Sequence, residues 1–173
     1  VAIMLIAKVL DWKDILSEKG AWDAMFWMGG LVALATALAK SGFIAWIAKL
    51  IGTAVAAANM GWIASFVLIS LIYIYSHYCF ASVTARISAM YAAFVAVAAA
   101  CGVPAMLVAI TFGCFANLPI SLTHYGNGCG PVYFGAGYVS QGEWWRNGFI
   151  ITTINVVIWL TIGMAWWKFI GLY

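Results

Sequence analysis

The sequence predicts an all-α membrane protein, and three observations carry that expectation. Of 173 residues, 66% are hydrophobic and only 8% are charged, against about 25% charged in a typical soluble domain. The five acids are Asp11, Asp14, Glu18, Asp23 and Glu143, so none lies in residues 24–142, and the cations across that span are Lys40, Lys49 and Arg86. The uncharged runs 50–85, 87–142 and 147–167 each reach the length of about 20 residues that a helix needs to cross a bilayer core of about 30 Å. Helices are the economical solution there, because each satisfies its own backbone hydrogen bonds within one segment. The net charge of +3 is scattered without a basic run, so nucleic acid is not expected as a partner.

Taken in order, residues 1–59 read as spanning and interfacial helices. The chain opens on Val, already apolar through Leu10, with neither the charged flank nor the small-residue cleavage site of a signal peptide. It reads as a continuation of a longer protein. "DWKDILSEKGAWD" (Asp11–Asp23) alternates charge with tryptophan, an interfacial pattern. "AMFWMGGLVALATALA" (Ala24–Ala39) predicts a spanning helix, with Lys40 placed to snorkel. "FIAWIAKLIGTAVAAA" (Phe43–Ala58) fits a helix lying on the bilayer or a connecting one; its pattern does not choose.

Residues 60–102 are about two helices long, yet their middle, "YSHYCFASVTAR" (Tyr75–Arg86), holds small and hydroxyl-bearing residues and no strong turn. Two full-length helices joined outside the membrane fit this pattern. A re-entrant hairpin with its tip near 77–84 fits equally, because non-helical backbone at depth must line a cavity or be buried in protein. In residues 103–139, Pro104 suits the start of a helix. That helix is broken at 123–131 by "THYGNGCGP" and resumes at Pro131. The polar "SQGEWWRNG" (Ser140–Gly148) predicts a surface turn with a tryptophan pair at headgroup level, and residues 149–173 close the chain as a last transmembrane helix within the 140–173 segment. Cys79, Cys101, Cys114 and Cys129 lack CxxC spacing and read as packed free thiols. Lysine and arginine divide evenly about these spans, so orientation stays open.

The break carries the chemistry. Interrupting a helix in lipid exposes carbonyls on one side and N–H groups on the other, at several kcal/mol for each unsatisfied group. Gly126, Gly128 and Gly130 would let backbone approach a ligand. The half-helix starting near Pro131 would offer free N–H groups to an anion, and the carbonyls near Leu122 would suit a cation or a donor. Two interrupted segments close together, 75–84 and 123–131, are a mark of secondary-transporter sites, although either alone is as easily a kinked helix. No acid lies near, so a cavity lined by His77, His124, Arg86 and hydroxyls would favour anions. Arg86 either snorkels to an interface or faces the cavity, where a substrate carboxylate would pair with it. The histidines read equally as packing residues or as donors and proton-dependent charges. The chain lacks GxSxG, HExxH and a carboxylate pair, so an enzyme is not expected.

At these residues the sequence resembles the divalent anion:sodium symporter family, and within it the citrate/succinate and 2-oxoglutarate/malate exchanger branch. "SVTA" (Ser82–Ala85) falls where that family carries a Ser-Asn-Thr hairpin tip. "LTHYGNGCGPVYFGAGYVSQGEWWRNGFI" (Leu122–Ile150) resembles the branch's "LTHYGTGPAPVYFG" segment and its tryptophan turn, and "NVVIWLTIGMAWWKFIGL" (Asn155–Leu172) resembles the branch's C-terminus. The resemblance implies a C-terminal inverted repeat with spanning helices, a re-entrant hairpin and a discontinuous helix. The implied partners are the N-terminal half of the same transporter, a second copy in a homodimer, the lipid bilayer and a small di- or tricarboxylate anion. A bacterial inner membrane is the expected location, with a plastid inner envelope the second.

Carried over, Ser82, Val83 and Thr84 match the tip, and Thr123, His124, Tyr125, Gly126, Asn127 and Gly128 match the broken-helix loop. Val83 stands where sodium-coupled members have asparagine, which disfavours sodium; no other cofactor and no metal is expected. His77, Arg86 or His124 would then supply the compensating positive charge, and the expected activity is exchange of one carboxylate for another. Ion-coupled symport and a non-transporting membrane scaffold are the alternatives. Asn127 replaces the branch's threonine and Cys129 its proline, predicting a looser loop or one tuned to another acid.

Overall fold

The computed structural model describes the backbone of residues 1–173, and every side chain except those of Asp23, Ala24, Trp27, Met28, Leu31, Val32, Ala35, Ala39 and Ala56. It is all-helical. Two short helices, α1 (Ala2–Ile6) and α2 (Trp12–Ser17), precede the long α3 (Lys19–Lys40) and α4 (Phe43–Ala57). The acids expected at an interface help start α2: Asp11 and Asp14 form a reciprocal capping box. The undecided segment after Gly42 is a helix packed along its neighbour. Ile44, Ala48 and Val55 of α4 are buried, and Gly52 lets its backbone approach Val97.

A helical hairpin follows, built from α5 (Trp62–Tyr75), a 3-10 turn (Ser76–Cys79) and α6 (Val83–Ala100). Arg86, Met90, Phe94 and Ala98 of α6 recur every fourth residue and are all buried. That spacing lines one helical face, which packs with Phe66, Ile69 and Tyr73 of α5 and Leu107, Val108 and Phe112 of α7 in the core. Tyr73 stacks on Phe112 with ring centroids 4.5 Å apart. At the end of α6, Gly102 adopts φ +81°, and the amide of Val103 returns to the Ala98 carbonyl. This left-handed C-terminal turn suits glycine.

The chain then makes α7 (Ala105–Cys114), a 3-10 turn (Leu118–Ser121), an irregular loop, and the six-residue α8 (Gly130–Gly135). The α-helix therefore ends at Cys114 and resumes at Gly130, a wider interruption than the 123–131 read from the sequence. From α9 (Gln141–Ile158) a π-helical turn (Trp159–Gly163) leads into α10 (Met164–Phe169). Gly148, Thr152 and Val156 form the inward stripe of α9, while Phe149, Ile150, Ile154, Val157 and Ile158 stay exposed. Such an apolar outer face belongs in lipid.

By length and composition, Trp62–Cys79, Val83–Ala100 and Gln141–Phe169 can each cross a membrane among the described residues. Two expectations need correction. The "SQGEWWRNG" stretch is not a turn: Ser140 and Glu143 form a capping box that starts α9 there. The cysteines are free, but only Cys101 and Cys114 are partly buried; Cys79, the last residue of the 3-10 turn, and Cys129, the N-cap of α8, are exposed.

Candidate functional site where the hairpin tip meets the broken helix

The hairpin tip packs against the loop that breaks the second helix. Tyr125 donates its hydroxyl to the Tyr78 carbonyl at 2.9 Å. Gly126 is the closest point of approach: a Cβ there would stand 2.6 Å from Nε2 of His77 and 3.0 Å from Oγ1 of Thr123. Only a hydrogen side chain allows this contact. The two breaks read from the sequence, 75–84 and 123–131, therefore adjoin in space through His77, Tyr78, Thr123, Tyr125 and Gly126.

The exposed ends of the break are capped from within the protein. Asn127 Oδ1 accepts from the amides of Cys129 and Gly130, each at 2.8 Å. Its Nδ2 donates to the Ile120 carbonyl at 3.2 Å. Pro131 brings no N–H, and the amides of Val132 and Tyr133 return to the Cys129 carbonyl. The expectation of free N–H groups at this half-helix is thereby corrected. Where the branch carries threonine, the Asn127 carboxamide donates and accepts at once. On the other side, Trp144 donates its indole N–H to the Ser121 carbonyl at 3.2 Å.

Trp144 and Trp145 are partly buried and turn toward the break, whose carbonyls and imidazole accept from their indoles. Trp145 donates to Nδ1 of His124 at 3.3 Å, which places the proton of the neutral imidazole on Nε2. His124 also stacks on Phe134 at 4.4 Å, and Tyr78 packs on Trp145 at 5.6 Å. Gly148 permits the closeness of α9, for a Cβ there would run into the Ser121 carbonyl. Gly130 likewise admits the His124 carbonyl, while Gly128 lies exposed. The aromatic residues Tyr78, Phe134, Trp144 and Trp145 were missed as site-builders by sequence reasoning. Their positions relative to the break are long-range, and paired tryptophans ordinarily signal an interface.

With the backbone ends capped, part of the unmet buried polarity of the described residues lies at Gly126, the rest at Ser70, Tyr73, Arg86 and Thr152. His77 and Thr123 are fully buried, and Nδ1 and Nε2 of His77 and Oγ1 of Thr123 meet no hydrogen-bond partner in bonding geometry among the described residues. Buried polar groups ordinarily have partners, so this cluster is suited to a polar ligand.

Arg86 stands just behind the tip and is also fully buried. Its two amino groups bond backbone, while Nε meets no hydrogen-bond partner among the described residues. Nη1 donates to the Tyr73 carbonyl at 2.9 Å, and Nη2 donates to the carbonyls of Phe115 at 3.1 Å and Ala116 at 2.7 Å. Its guanidinium lies 4.6 Å from the Tyr73 ring centroid. The ends of α5 and α7 present these carbonyls, with the partial negative charge that a helix C-terminus carries. Ser82 is the N-cap of α6, accepting from the Ala85 amide at 3.4 Å. Val83 begins the helix partly buried, and Thr84 is exposed on its first turn. No hydrogen bond joins Ser82 or Thr84 to the loop among the described residues.

A hairpin whose tip seats on a broken helix, inside an apolar helical body, defines an integral membrane protein with a buried polar site at the meeting of two unwound segments. The comparisons make this specific. The family model for the sodium:sulfate symporter transmembrane region matches residues 1–173, and the chain belongs to that family. It is 44% identical to dicarboxylate transporter 1, chloroplastic, of Spinacia oleracea, over 99% of this chain and 30% of that protein. It is 45% identical to the putative malate transporter YflS of Bacillus subtilis (strain 168), over 99% of this chain and 36% of that protein. The inner membrane protein YbhI of Escherichia coli (strain K12) is 35% identical over 96% of this chain and 35% of its own length. The chain thus spans about a third of the length of these relatives.

Proposed function

We propose that these residues form the C-terminal repeat of a secondary transporter for di- or tricarboxylates of the malate, 2-oxoglutarate, succinate or citrate class, working by anion exchange. The observation that carries the reading is the unpartnered His77 and Thr123 at Gly126, buried where hairpin tip and broken helix meet. Relatives named for dicarboxylate and malate transport support the substrate class. Their greater length supports a pocket completed by an N-terminal half.

In this reading the hairpin is re-entrant, with its tip at the same depth as the break it packs against. The substrate enters from the side of Ser82, Val83 and Thr84, and the loop from Thr123 to Gly128 closes the other side. His77 and His124 act as imidazole donors toward the carboxylates. Arg86 contributes its field from behind the tip while its amino groups hold backbone. The reading assigns no catalysis, no metal and no bound cofactor. It assigns a homodimer as the working assembly and a bacterial inner membrane as the location.

The test is uptake of labelled dicarboxylate into proteoliposomes carrying the full-length protein, with and without dicarboxylate inside. Exchange requires internal substrate and no sodium gradient. Sodium-dependent net uptake into empty vesicles overturns exchange in favour of symport, a mode suggested by the family model's own description. Absence of both uptake and substrate-dependent thermal stabilisation leaves only a membrane scaffold.

A further inference from the structure

We propose that Asn127 is a positioning residue that straps the two halves of the broken helix together, so that the substrate anion is met by side chains and not by the half-helix N-terminus. Three bonds from one carboxamide carry this. Oδ1 takes the amides of Cys129 and Gly130 at 2.8 Å each, on the downstream side of the break. Nδ2 reaches back to the Ile120 carbonyl at 3.2 Å, on the upstream side. A broken helix exposes donors on one side and acceptors on the other, and a carboxamide is the side-chain group that answers both at once. An aspartate answers only the donor side. An alanine answers neither.

The strap changes what the loop can offer. Cys129 and Gly130 supply the N–H groups that would otherwise point at an anion, and both are engaged within the chain. The remaining unpartnered polar atoms at the break are those of Thr123 and His77, on the far side of Gly126 from Asn127 in sequence. The loop is held in shape before substrate arrives, and the entropy of ordering it is met during folding. This second step rests on the carboxylate-transport reading; the strap itself does not.

The experiment measures amide hydrogen exchange of the 125–134 segment in the full-length protein, by mass spectrometry with fragment resolution of Cys129 and Gly130, in Asn127→Ala, Asn127→Asp and the unmodified protein. Losing the acceptor should speed exchange at both amides about tenfold. Asn127→Asp keeps the acceptor but loses the Nδ2 donor to Ile120, so protection should return only in part, to about threefold below the unmodified protein. Unchanged protection in Asn127→Ala, or full protection in Asn127→Asp, overturns the strap. Carboxylate exchange by the same proteins then reads the second step: KM should rise about fivefold in Asn127→Ala. A KM unchanged in Asn127→Ala beside lost amide protection overturns that step. An unmodified protein that exchanges no carboxylate defeats the transport reading while the amide measurement still decides the strap.

Discussion

Replacing Arg86 with methionine separates a structural clamp from a substrate-facing charge. The guanidinium holds three carbonyls, those of Tyr73, Phe115 and Ala116. The Tyr73 carbonyl keeps a second donor after the change, since Ser76 Oγ bonds it at 2.7 Å. Phe115 and Ala116 lose theirs, the first fully buried and the second nearly so. Each buried carbonyl left unsatisfied costs about 1–3 kcal/mol, or about 2–6 kcal/mol for the pair. Methionine restores most of the volume and removes the cost of burying a charge, which pulls the net to the lower part of that range, about 2–3 kcal/mol. For a cooperative unit of about 150–250 residues this lowers Tm by at least about 4 °C. Lysine at residue 86 should fall between, because one ammonium cannot reach both helix ends as a planar fork does. The assay is thermal unfolding of purified full-length protein in detergent, with carboxylate KM measured on the same preparations. A Tm unchanged in Arg86→Met, together with KM raised more than about tenfold, would refute the clamp and return Arg86 to the substrate.

Three further outcomes test the site. Gly126→Ala puts a Cβ 2.6 Å from His77 Nε2; overpacking of this kind costs about 1–3 kcal/mol, and adding His77→Ala should recover most of the lost Tm. Ser82→Ala removes the N-cap of α6 and should cost about 1 kcal/mol, with Ser82→Asp restoring Tm and Thr84→Ala leaving it unchanged; if both residues also contact carboxylate, each alanine raises KM. Trp145→Phe keeps a ring against Tyr78 but deletes the donor to His124; a double-mutant cycle with His124→Asn in the exchange assay should give a coupling of about 0.5–1 kcal/mol, and strict additivity would show that the indole bond does not position the histidine.

The amino-acid sequence by itself determined the membrane class and the all-helical content. Those properties are local. Hydropathy and missing charge declare the spans, whereas the helix ends moved: α7 stops at Cys114, and Gly130 and Pro131 already belong to α8. The resemblance at Leu122–Ile150 told the family from contiguous residues alone. The sequence even marked His77, Thr123 and Gly126 before anything placed them together.

What only the tertiary structure decided is which donor answers which acceptor. Arg86 reaches carbonyls 29 and 30 residues away, Trp144 one 23 residues away and Trp145 an imidazole 21 residues away. No periodicity encodes such pairs. A buried polar group takes the nearest geometrically suitable partner, and nearness across helices is a property of packing. For that reason an arginine whose sequence left snorkelling and a cavity-facing charge both open holds two helix ends, and two tryptophans bond to the break.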